Sequence, residues 1–282
     1  MTNKKICIVG MGLLGGSYAM GLTRAGNTVY GVDICAESIL FAKEKGYIAD
    51  GTVNNYEKFV SAADIVVLCL YPHTLLDWVE KNKNLFKTGA VITDVCGVKC
   101  GIVDKVQHML PENVEFYASH PMRGKEILGI ENADCAIFKN ANFILTPTEK
   151  NTKQTENVLR DMATTLGFIT FSILTPEQHD RMIGYVSQLT HVIAVSLMTA
   201  SDNADLEPYT GDSFRDLTRI AKINDGLWSE LFLWNRENLV LEIDKFSSSL
   251  QELKKCLQEE DEQKLKQLLR LSTERRKKFD KG

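Results

Sequence analysis

Over the first 174 positions, apolar residues fall in short, nearly continuous runs, each followed by a stretch with helical spacing. Residues 5–9 are β-branched and stop at Gly10, after which Leu13, Ser17, Met20 and Leu22 recur at helical spacing up to Gly26. A second strand over 28–32 closes at Asp33, and 36–45 reads as a helix stopped by Gly46. Further strands are predicted over 64–70, 90–93 and 114–118, with helices over 75–85 and 101–110. Strands apolar on both faces and alternating with helices imply a parallel sheet covered on each side. Strands over 142–146 and 168–173, separated by a helix over 152–166, are expected to extend that same sheet.

After Leu174 the pattern changes. Thr175-Pro176-Glu177-Gln178 offers an N-cap Thr, Pro at the first helical position and a capping-box Gln. From there on the periodicity is helical, so the boundary is placed between 174 and 175, with an all-helical domain over 175–282. The last helix carries acid early (259–262) and base late (275–278), which complements a helix dipole.

Gly10-Met11-Gly12-Leu13-Leu14-Gly15 fits G-x-G-x-x-G between a predicted strand and a predicted helix, and Asp33 ends the next strand. This is the fingerprint of a Rossmann-type domain. Gly10 serves the tight turn, Gly12 admits a pyrophosphate to the helix N-terminus opened by Leu13 and Leu14, and Gly15 allows helix and strand to pack closely. Asp33 suits a ribose diol. A 2′-phosphate would meet its charge without a nearby cation, since Ile34 and Cys35 follow, so NAD is expected rather than NADP.

Ligands of such sheets sit beyond the carboxyl ends of the strands. Three ends carry reactive side chains: Tyr71-Pro72-His73, Cys96-Gly97-Val98-Lys99 and Ser119-His120-Pro121-Met122-Arg123-Gly124-Lys125-Glu126. Tyr71, Pro72 and Cys96 are therefore added to the cofactor-binding candidates. Pro121 favours an extended backbone at His120, which would project its imidazole off the strand tip as a base for an alcohol proton. His73 and His108 read as solvated, and His179 as part of the helix start at Thr175. Spacing leaves His191 open between a hydrogen-bonded core residue and a site-lining one. It favours Arg215 and Arg219 as partners of Asp212 and Asp216 on a helix face.

Composition narrows the classes. A chain of 282 residues, 25% charged and 44% hydrophobic, has room for one or two domains. Its net charge of −4 gives no general attraction for nucleic acid or an anionic membrane. The 7 scattered cysteines suit reduced thiols in the cytoplasm, and the Cys96/Cys100 pair lacks further ligands for a metal. No secretory leader is read at the N-terminus, and the apolar run over 185–200 falls short of a membrane span.

The motifs SHPMRGKE, HDRMIGYVSQLTH, DLTRIAK and LWSELFLWNREN follow the nucleotide fingerprint in order. Together they resemble the prephenate dehydrogenase family, which includes arogenate dehydrogenases, over essentially the whole chain. The resemblance implies a helical dimerisation domain, a homodimer, and NAD-dependent oxidative decarboxylation of prephenate to 4-hydroxyphenylpyruvate in tyrosine synthesis. It implies His120 as the catalytic histidine, Glu126 as an acidic residue closing the site, His191 and Arg219 as substrate-binding positions, and Trp228 as an aromatic near the pocket. Arg123 or Lys125 would assist with the substrate carboxylates. Two positions depart from the family pattern. Gly97 stands where a serine is frequent, so that Ser119 or water would have to relay the proton, and Gln188 replaces a histidine. A β-hydroxyacid dehydrogenase is the runner-up enzyme, and a non-catalytic NAD-binding regulator the alternative of another class.

Overall fold

The computed structural model describes residues 1–203 and 205–280, so residue 204 and the last two positions of the expected 175–282 domain lie outside the described residues. The chain opens with β1 (Lys5–Val9), α1 (Leu13–Arg24), β2 (Thr28–Val32), α2 (Ala36–Glu44), β3 (Asp50–Thr52) and α3 (Glu57–Ala62). It continues with β4 (Ile65–Leu68), α4 (Pro72–Asn82), β5 (Val91–Asp94), α5 (Val103–Met109) and β6 (Glu115–Phe116). All six strands run parallel in the order β3-β2-β1-β4-β5-β6, the doubly wound arrangement the alternating pattern predicts.

The central strand shows why its run is apolar throughout. Ile6 and Ile8 pack with Tyr18 and Leu22 of α1 in one core, while Cys7 and Val9 pack with Leu75 and Val79 of α4 in another. Successive side chains enter opposite faces, and both faces are covered. Short β3 and α3, with too few apolar positions to show a period, escape a reading based on pattern.

One expectation is overturned. The strands over 142–146 and 168–173 do not extend the parallel sheet. β7 (Ala118–Pro121), β8 (Asn142–Thr146) and β9 (Thr170–Ile173) form a separate three-stranded sheet, with β7 and β8 antiparallel and α6 (Lys153–Leu166) linking β8 to β9. The predicted strand over 114–118 breaks at Tyr117, where the chain passes from one sheet to the other. Pro121, which has no N–H to donate, belongs on an edge strand, and β7 is the edge of the second sheet.

The Thr175 capping box forms as expected. It opens a continuous helix, Pro176–Thr199, made of α7 (Pro176–Ile183), a π-helical turn (Gly184–Gln188) and α8 (Leu189–Thr199). At 24 residues and a mean hydropathy of 1.3, this helix is long and apolar enough to cross a membrane, which the apolar run alone did not suggest. It also carries His179, Asp180 and Gln188, all buried and hydrogen-bonded within the protein, while Met182, Tyr185, Val186 and Met198 on it are exposed. Helices α9 (Asp212–Thr218) and α10 (Asp225–Trp234) follow, the latter capped by Asn224. Everything up to Asn235 forms one compact unit, so residue 174 marks a change of element type inside that unit. The second unit, beginning at Arg236, contains α11 (Arg236–Gln258) and α12 (Glu262–Lys277).

Candidate active site

The strand register sets the stage. Val9 pairs with Leu68 and Leu68 with Asp94, so β1, β4 and β5 release the chain at one edge of the sheet. Gly10 turns there with φ +93, and a Cβ on it would strike the Cys69 carbonyl. A Cβ on Gly15 would strike the Gly10 carbonyl oxygen. Around Gly12 the space is open: a Cβ there meets nothing within 4 Å. Helix α1 begins immediately after it without a side-chain cap, so its first N–H groups, including those of Leu13 and Leu14, are available to an anion. Asp33 accepts hydrogen bonds from the N–H groups of Met11 and Cys35, which fixes its carboxylate beside the loop. Open space, unclaimed donors and a placed carboxylate fit a dinucleotide.

The other cofactor candidates differ. Tyr71 lies at the end of β4, with its hydroxyl accepting from Asn224 at 2.8 Å. Pro72 is the buried first residue of α4. Cys96 is buried, and burial pushes its thiol up to about 12, so it packs as an apolar residue while its N–H donates to Asp94.

His120 sits within β7, paired with Ile144, and not on the tip of a parallel strand. Its Nδ1 lies 2.9 Å from His179 Nε2, and His179 Nδ1 lies 2.7 Å from Asp180 Oδ1. Asp180 also accepts from the N–H groups of Lys99 and Cys100, each at 2.8 Å. These partners assign the protons. The carboxylate takes the Nδ1–H of His179, whose bare Nε2 takes the Nδ1–H of His120. His120 Nε2 is then left with a lone pair.

Burial, then His179, then the Lys99 cation hold His120 well below the usual imidazole range. Burial lowers His179 too, against the pull of Asp180. Although burial opposes it, the bonds from His179 and the two N–H groups keep Asp180 below the ordinary carboxylate range. The result is a neutral imidazole backed by a carboxylate.

Ser119 is not brought to this imidazole. Its hydroxyl donates to the Asp94 carbonyl at 2.7 Å and meets Thr93 at 2.9 Å, inside the protein. A Cβ on Gly97 would lie 3.9 Å from His120 Cε1, so that position faces the ring and offers no hydroxyl. Gln188 is likewise committed internally, donating to the Leu231 carbonyl and accepting from Asn235.

A second group forms around His191, whose ring stacks on Trp228 with centroids 3.6 Å apart. Its Nδ1–H donates to the Ser187 carbonyl, leaving Nε2 for a ligand. Burial lowers its pKa, with Arg219 adding to this and Glu126 opposing it. Arg219 pairs with Glu126, and not with Asp212 or Asp216 as the helix spacing suggested. Arg123 and Lys125 are exposed on the segment after β7, with Lys125 3.5 Å from Asp134. His73, read as solvated, meets Glu230 at 2.6 Å.

The residues that sequence reasoning passed over are His179 and Asp180, with Lys99 and Asn235 behind them. The signal was an adjacent His-Asp pair one turn into a capped helix, but nothing local joins residue 179 to residue 120.

Residues 18–169 match the family described as prephenate dehydrogenase, nucleotide-binding domain, and residues 175–271 the one described as prephenate dehydrogenase, dimerization domain. The chain is 30% identical to a prephenate dehydrogenase of Lactococcus lactis subsp. cremoris, over 92% of this chain and 73% of that one. Among solved structures it is similar to prephenate dehydrogenase from A. aeolicus in complex with hydroxyphenyl propionate and NAD+, with a TM-score of 0.89, 32% identity and 99% of both chains covered. It is also similar to Synechocystis arogenate dehydrogenase, with a TM-score of 0.82, 26% identity and 98% and 99% covered.

Proposed function

Since this chain belongs to the prephenate dehydrogenase family and is an NAD-linked oxidoreductase with prephenate dehydrogenase activity in tyrosine biosynthesis, we propose that His120 is its catalytic base, poised by His179 and Asp180. The supporting observation is the His120–His179–Asp180 chain, buried at His179 and Asp180 and half-buried at His120, which presents an unprotonated Nε2. His120 Nε2 takes the proton of the ring hydroxyl. The positive charge gained is shared through His179 toward Asp180, the logic by which a carboxylate supports an imidazolium. Bound NAD would supply the hydride acceptor, and loss of the ring carboxylate as carbon dioxide would leave an aromatic product.

The loop Gly10–Gly15, with the N–H groups of Leu13 and Leu14, holds the pyrophosphate, and Asp33 holds a ribose. Arg219 and His191 bind the substrate carboxylates, with Trp228 stacking behind His191. Glu126 covers Arg219 until a carboxylate replaces it. Arg123 and Lys125, exposed and close in sequence to His120, serve as peripheral cations. Ser119, Gln188 and Cys96 act by holding neighbouring elements, and Tyr71 and Pro72 shape the end of β4.

By role the chain divides into 1–174 for nucleotide and base and 175–282 for substrate and pairing. The dimerization domain joins two copies of this chain through the helix Pro176–Thr199, whose Met182, Tyr185, Val186 and Met198 are exposed. The enzyme works in the cytoplasm, consistent with its free cysteines.

NADH formation from NAD with prephenate and, separately, arogenate tests the reading in the parent and in His120→Asn. Turnover with prephenate and its collapse in the variant are expected. A variant as fast as the parent would remove His120 as the base. Faster turnover of arogenate would reassign the substrate.

A further inference from the structure

Lys99 is fully buried, and the proposed mechanism gives it no step. Its ammonium uses all three donors: Asp94 Oδ2 at 2.5 Å, the Ser119 carbonyl at 2.8 Å and the Cys96 carbonyl at 2.9 Å. Asp94, equally buried, accepts the Ser119 N–H through its other oxygen at 2.9 Å, and its own carbonyl accepts the Ser119 hydroxyl. The Lys99–Asp94 pair thus holds every polar group of the residue directly before His120. The backbone N–H of Lys99 also donates to Asp180, at the far end of the imidazole chain. One residue therefore grips His120 from two sides, through the strand that carries it and through the carboxylate that orients it.

We propose that Lys99, locked to Asp94, is a positioning residue for His120, fixing it as the neutral tautomer within the sheet through Ser119 on one side and Asp180 on the other. A buried ion pair is a poor way to gain stability, because desolvation offsets its attraction, and such a pair is better understood through the geometry it specifies. The charged and titratable groups acting on His120 are His179 from α7 and Lys99 from the loop after β5, with Asp180 and Asp94 bonded to them in turn. The neighbouring residues on β8 and α10, Ile144 and Leu231, are apolar. Burial first, then His179 and then Lys99 disfavour a charged ring at His120. This inference rests on His120 being the base.

The experiment replaces both charges, Asp94→Asn with Lys99→Met, because Lys99→Met alone leaves a buried carboxylate uncompensated. Kinetics across pH in the double variant, with NAD affinity measured by fluorescence, are expected to show kcat lower by roughly 10²-fold, the usual consequence of misplacing a catalytic group. The acid limb of kcat/KM should move as His120 loses the partners that fix it, while the Kd for NAD and the KM for prephenate stay close to the parent's. A purely structural role would lower the amount of folded enzyme without moving that limb. In the unaltered protein, the nitrogen-15 spectrum of His120 should remain that of the neutral ring at the ordinary histidine midpoint of 6.5. A ring half-protonated there overturns the proposal even if the double variant fails to fold. If His120→Asn is inactive while the double variant keeps the parent's kcat and acid limb, this inference fails alone. If His120→Asn is active, the reading beneath it fails.

Discussion

The nucleotide end and the imidazole end of the site are built on opposite principles. At the loop Gly10–Gly15 the chemistry lies in the backbone, and the side chains are removed so that a ligand can approach N–H groups. At His120 the chemistry lies in side chains, each buried and each held by another: His179, Asp180, Lys99 and Asp94. The first arrangement tolerates change wherever space is open. The second tolerates little, because a half-satisfied buried network costs more than none. The two ends should therefore fail separately, one in affinity and the other in rate.

The largest effect is expected at the imidazole end, where His120→Asn should lower kcat by roughly 10²- to 10⁴-fold with the Kd for NAD unchanged. Next, Asp180→Asn keeps the shape but loses the carboxylate that fixes both imidazole tautomers. Steady-state kinetics should show kcat down by about 10²-fold with KM little altered. The nucleotide end is probed by Gly12→Val, whose side chain projects into free space. It should leave the melting temperature unmoved and weaken NAD binding by about 10-fold or more, at least 1.4 kcal/mol, in a calorimetric titration. A loss of folding would show that Gly12 serves the fold and not the ligand.

Arg219→Gln should raise KM for prephenate by roughly 10-fold, the scale of one charged hydrogen bond, with kcat nearly constant. An effect on kcat alone would place Arg219 with the imidazole end. The smallest effect is on stability. His120 and His179 have folded pKa values below the ordinary 6.5, so the unfolded chain binds protons first as pH falls. Stability should decline from about pH 6.5 downward through their folded values, and thermal melts of His120→Asn should show a shallower decline.

The same contrast explains what could be read from the sequence. The loop, its strand and Asp33 are close along the chain, so spacing alone located them, and the parallel sheet followed from alternating runs. The second sheet was missed because Tyr117 breaks a run that looked continuous, and a switch between sheets leaves no periodic trace. His120 was singled out through Pro121 and the family motifs, but His179 and Asp180, which adjoin it, lie 59 residues or more away. No pattern within a helix tells His179, in contact with His120, from a residue that merely follows a cap. Arg219 was misjudged on spacing for a similar reason: its partner Glu126 is 93 residues distant, while the acids beside it are nearer only in sequence.

The π-helical turn Gly184–Gln188 has a rotational consequence. In a regular α-helix, at about 100° per residue, positions 179 and 191 would point about 120° apart. The wider turn absorbs about one residue's worth of rotation, bringing the two to within about 20–30° of a common face. A single helix can thereby present one histidine to His120 and another to Trp228. Rewinding the turn as ordinary α-helix with all its residues kept would swing His191 about 100° away while His179 stayed in place, whereas deleting one residue from it would keep the two aligned. The spacing between the His120 and His191 clusters is thus written into the pitch of one helix.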